Sequence, residues 1–156
     1  METLAALWPI SDVPSQCISI YEGPGVFLQQ YAAAPPVHQT VFVAYWLQAE
    51  VLNGGLAQLF GNDTGVLAPE AVEACMLLNL PNLAGKIQEA MNWFGSPYPR
   101  NRLSRHQQLQ AAGQSGVDPF EELDEVVAQL IYEEGVGLEA AALALVKARG
   151  SVAGDA

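Results

Sequence analysis

Basic residues are scarce: six Lys and Arg stand against seventeen Asp and Glu in 156 residues, a formal net charge of -11. Binding nucleic acid through its phosphates needs clustered cations to displace counterions, and only Arg100, Arg102 and Arg105 lie close together; direct nucleic-acid binding is disfavoured. Cysteine is nearly missing too. Cys17 and Cys75 are too few and too far apart for a disulfide scaffold or paired metal-ligand spacing, so both are expected to be small core residues. No apolar run approaches the roughly eighteen residues of a membrane span. The opening METLAALWPISDVPSQ lacks a basic segment ahead of an apolar one, so no cleavable signal is expected and the location expected is cytoplasmic.

Catalytic chemistry finds little to use. The two histidines, His38 and His106, sit in no local nucleophile-base motif and are expected at the surface. Glu121-Glu122 and Glu133-Glu134 are adjacent pairs, but neighbours on a helix point about 100° apart and make no ligand set by adjacency. The Glu-x-x-His, His-Glu-x-x-His and twelve-residue calcium-loop patterns do not occur, and YEGPGV lacks the Lys-Ser/Thr of a phosphate loop. The expectation is a protein that is not an enzyme and carries no cofactor and no metal.

What is present is helical periodicity. Residues 1–37 are expected to be irregular or short-helical and packed on the core, 38–150 to form the helical domain, and 151–156 to fray. CISIY, at 17–21, alternates like a short strand but has no partner strand in the sequence. Phe42, Tyr45, Trp46, Ala49 and Leu52 recur at three and four residues and mark a core-facing stripe. Pro69 and Pro81 each suit the first turn of a following helix. Ser104 with Gln107 resembles a weak capping box. In DPFEELDEVVAQLIYEEG, Asp118 is placed to cap, Pro119 to start the helix, and Phe120, Leu123, Val126 or Val127, and Leu130 to face the core. Lys147, Arg149 and Gly150 suit the end of a last helix. The fold class is therefore all-α, a compact single-domain bundle of about five to seven helices.

One stretch breaks its own pattern. YWLQAEVLNGGLAQLFGNDTG places Asn53-Gly54-Gly55 inside a helical run, although glycine costs up to about 1 kcal/mol against alanine there. Two helical pieces meeting at a corner are expected. Glu50, Asn53, Gln58 and Asn62 then surround it. They either satisfy backbone groups locally or form a small-ligand site.

Acidic charge concentrates near the C-terminus. Residues 118–156 hold nine acidic and two basic side chains, and no Lys or Arg occurs from Asp118 to Glu139. A solvated helix face that promotes solubility accounts for such a run. So does a surface complementary to a basic protein, centred on Glu121, Glu122, Asp124, Glu125, Glu133 and Glu134.

Glu50, Val51, Asn53, Gly54, Gly55, Gln58, Phe60 and Asn62, in the pattern Glu-Val-x-Asn-Gly-Gly-x-x-Gln-x-Phe-x-Asn, together with Phe120-Glu-Glu-Leu123-Asp124, resemble a bacterial family of small helical proteins. It is a domain-of-unknown-function family whose best known representative is a DNA mimic. Leu56 stands where that family usually has an aromatic residue, and Leu59 where Tyr or Phe is common; both remain apolar. The resemblance implies an all-helical, dimeric, cytosolic protein without catalytic activity. It also implies an acidic surface able to occupy the DNA-binding face of a basic regulatory protein.

Overall fold

The computed structural model describes Pro14 and residues 16–149. The expectations for residues 1–13 and 15, for Gly150 at the end of the last helix and for the tail 151–156 lie outside the described residues. The described chain is all-α: α1 (Pro24–Ala33), α2 (Pro36–Gly61), a 3-10 turn (Asp63–Leu67), α3 (Ala68–Leu77), α4 (Pro81–Asn92), α5 (Arg102–Gln114), α6 (Glu121–Glu133) and α7 (Leu138–Arg149). Proline opens the first turn of α1, α2, α3 and α4, where its missing N–H removes no intrahelical bond. Ile18 and Ile20 are buried, but among the described residues no strand forms around them.

The long helix α2 is the axis of the bundle. It packs against α3, α5, α6, α7 and the 3-10 turn, while α4 lies between α3 and α6. That position explains why its burial is wider than the expected stripe: Val41, Phe42, Val43, Ala44, Tyr45, Leu47 and Gln48 are all buried. A helix enclosed on several sides is apolar on several sides. Leu56 and Leu59 are fully buried, so the aliphatic replacements fill core positions.

The corner is real. Gly54 (φ -147°, ψ 16°) and Gly55 (φ 74°, ψ -170°) leave helical geometry and divide α2 into two helical pieces. Gly55 occupies a backbone region open essentially to glycine alone. Beyond the corner Phe60 enters an aromatic cluster, 5.0 Å from the Phe94 ring and 5.3 Å from the Phe120 ring. This cluster ties the end of α2 to the residues that follow α4 and precede α6.

Three local expectations need correction. Cys75 is buried, but Cys17 is exposed. Helix α5 is capped by Asn101, whose side chain accepts the Ser104 backbone N–H at 3.2 Å; Ser104 lies inside the first turn and is not the cap. Helix α6 begins at Glu121, later than Asp118-Pro119 implied, because Asp118 Oδ1 accepts from the Phe120 backbone N–H at 3.0 Å. That bond spans two residues and forms a turn ahead of the helix.

Candidate functional site

Helix α6 turns Val127 and Ile131 into the core. Its opposite side exposes Glu121, Glu122, Glu125 and Glu133. Glu121 and Glu122 lie in the first turn, where the helix dipole favours negative charge. Gln129 donates to Glu133 at 3.0 Å. Among the described residues no Lys or Arg pairs with any of these four carboxylates.

Asp124 and Glu134 sit differently. Asp124 Oδ1 accepts the Leu56 backbone N–H at 2.8 Å and so caps the helical piece that resumes after the corner. A Cβ on Gly55 would lie 2.9 Å from that same oxygen, so glycine is needed for the approach as well as for the backbone angle. Glu134 reaches across to α4, its two oxygens accepting the backbone N–H groups of Asn82 and Leu83 at 2.8 and 2.7 Å. Both carboxylates are half-buried. They fasten α6 to its neighbours, and the exposed charge of the run falls to the other four.

The polar corner pairs within itself. Glu50, buried, accepts from Asn62 Nδ2 at 2.9 Å. Asn53 Nδ2 donates to Gln58 Oε1 at 3.2 Å, and the Gln58 side chain folds against Gly54. Beside Asn62 an open cleft of about 410 Å³ is lined by Ala57, Gly61, Arg102, His106, Leu109 and Gln110. His106 is exposed and His38 half-buried. Among the described residues no group of three His, Cys, Asp or Glu converges as a metal would require, and no helix is long and apolar enough to cross a membrane.

Arg100, Arg102 and Arg105 have partners within the chain, away from the exposed carboxylates of α6. Arg100 makes a two-pronged pair with Glu70, both contacts 2.8 Å. Arg102 Nε donates to the Gly61 carbonyl at 3.0 Å and its Nη1 lies 3.5 Å from Asp63. Arg105 is fully buried. It donates to the carbonyls of Phe60, Asn62, Pro99 and Arg100, satisfying the negative end of α2, and its guanidinium lies 6.0 Å from the Tyr98 ring centroid. Burial lowers its pKa, partly opposed by Tyr98 and Asp63. Gly65 makes room for it, since a Cβ there would lie 2.5 Å from Arg105 Nε. In sequence these three residues read as the sole basic cluster; folded, they hold the end of α2 and the 3-10 turn.

One polar pair escaped the reading of the sequence. Gln48 is 1% exposed, and its Nε2 and the buried Glu139 Oε1 face one another's side chains without a partner at full hydrogen-bond distance. Burial raises the Glu139 pKa, and the neighbouring Gln48 amide partly offsets the rise. The signal that could have found it is a glutamine inside the apolar run VAYWLQAE.

No curated protein and no solved structure matches the chain. A family model does: the DMP19-like protein family matches residues 32–149, a span that contains the Asn-Gly-Gly corner and the whole of α6. The chain belongs to the DMP19-like protein family, the DNA-mimic family that its corner motif resembles.

Proposed function

We propose that this protein is a non-enzymatic, cytoplasmic binding module that uses the exposed acidic side of α6 to occupy the nucleic-acid-binding face of a basic regulatory protein. The observation that carries the reading is the set Glu121, Glu122, Glu125 and Glu133, exposed on one helix with no Lys or Arg pairing with them among the described residues. Uncompensated charge of one sign steers an oppositely charged partner. Family membership supports the same direction.

Charge density bears on assembly. Helix α6 has 13 residues, about 20 Å at 1.5 Å per residue, which gives its four exposed carboxylates about one charge per 5 Å. Duplex DNA carries one per about 1.7 Å. A homodimer aligning two such faces approaches the duplex more closely, and we include dimerisation in the proposal.

The test is capture of a basic DNA-binding protein from lysate by the full chain at low salt, with duplex DNA as competitor. Release by DNA and loss of capture in the variant carrying Glu121→Lys, Glu122→Lys, Glu125→Lys and Glu133→Lys are expected. Capture that survives both treatments would overturn the reading.

A further inference from the structure

At one end of the acidic stripe, α6 passes into α7 beside a cavity of about 140 Å³ lined by Gln48, Ile131, Tyr132, Val136, Gly137 and Glu139. Its volume exceeds by several fold the roughly 10–15 Å³ that one water requires. Two of its lining groups are buried polar atoms without a partner at full hydrogen-bond distance, the donor Gln48 Nε2 and the acceptor Glu139 Oε1. Such groups are costly unless something meets them. At the mouth Tyr132 and Val136 are 52% and 71% exposed. Tyr132 follows Glu121 by eleven residues and Glu125 by seven, so all three share one side of α6.

We propose that this cavity receives an arginine side chain of the basic partner. Glu139 Oε1, the acceptor of the two, takes the guanidinium; Gln48 Nε2 is itself a donor, faces the same carboxylate and is not met by the arginine, while the Tyr132 ring offers a face for stacking. Ile131 and Val136 cover the aliphatic stem. Arginine fits better than lysine because its planar fork both stacks on an aromatic ring and donates to a carboxylate. The inference rests on the acidic-face reading for the protein that delivers the arginine, while the pocket's own chemistry can be tested without that protein.

The probe is Nα-acetyl-arginine methylamide, titrated into the full chain while NMR follows the Gln48 side-chain amide and the Tyr132 ring. A saturable shift of both is expected. It should weaken at least about tenfold in Glu139→Gln, the loss of a charge-assisted hydrogen bond. It should also weaken in Tyr132→Ala, whose exposed site spares the fold if Glu139→Gln perturbs it, and persist in Glu73→Gln, an exposed carboxylate on α3 that does not line the cavity. The corresponding lysine amide should shift these signals less. No saturable shift at Gln48, or equal binding in Glu139→Gln and the parent, would overturn the pocket assignment. Loss of this titration with DNA-competed capture intact refutes the pocket alone; an intact titration with capture insensitive to charge reversal refutes the acidic face alone.

Discussion

Asp124 on α6 accepts the backbone N–H of Leu56 at 2.8 Å, across a corner where Gly55 holds φ at 74°. Sixty-eight residues of chain separate the two groups, yet the contact joins the Asn-Gly-Gly motif to the acidic helix. It fixes α6 against the axis of the bundle and so sets the direction in which the four exposed glutamates point.

Removing that contact should cost stability more than binding. Asp124→Ala is expected to destabilise by about 1–2 kcal/mol, the range for a lost N-cap. Gly55→Ala should cost about 1–3 kcal/mol for a backbone region that alanine avoids. Because the added Cβ meets the Asp124 carboxylate, the double variant should be less destabilised than the sum of the singles. Urea denaturation of the four proteins reads this coupling; strict additivity would refute it.

Arg105 tests the second anchor. Replacing it with Met removes the donor shared by four carbonyls, of which Asn62's keeps the Gly65 N–H, and an unsatisfied buried acceptor costs about 1–3 kcal/mol. A loss of at least about 3 kcal/mol is expected. Arg105→Lys should recover little, because a single ammonium cannot span the positions reached by a planar fork. A lysine variant as stable as the parent would contradict this role.

The two cysteines should separate cleanly in a thiol-modification assay. Burial, with a smaller push from the Glu134 charge, raises the Cys75 pKa to about 12, and the thiolate is the reactive form. Cys17 is exposed. At neutral pH Cys17 should be modified promptly and Cys75 only on unfolding, so Cys17→Ser should abolish the fast phase.

Glu139 makes a prediction of unusual sign. Burial raises its native pKa above the ordinary glutamate value of about 4.3, so the folded state keeps the proton longer than the unfolded chain. Its contribution is complete below the ordinary value and is lost as pH rises through the elevated native one. Glu139→Gln should remove that decline from a plot of unfolding free energy against pH. An unchanged slope over this window would show that Glu139 is not the group responsible.

Local signals carried the helices well. The prolines of α3 and α4, and the cost of consecutive glycines at 54 and 55, are properties of short segments, and the structure places breaks and starts where they imply. Contacts across the chain were not legible. Asp124 and Glu134 look in sequence like the other carboxylates of their run, and only packing against Leu56, Asn82 and Leu83 distinguishes them. Arg105 lies in a polar helix that reads as exposed, yet the end of α2 draws it inside because carbonyls there need donors. Cys17 failed the opposite way: cysteine is usually buried, but the chain at that point lies on the surface.

The central claim is that the exposed carboxylates of α6 attract a basic DNA-binding partner, and the salt dependence of that association tests it most directly. Once a DNA-competed partner is captured, its affinity for the parent chain and for the Glu121→Lys, Glu122→Lys, Glu125→Lys, Glu133→Lys variant is measured across ionic strength. The account predicts affinity for the parent that falls steeply with salt, and weak binding of the variant at every salt concentration. Equal affinities with equal, shallow salt slopes would contradict it.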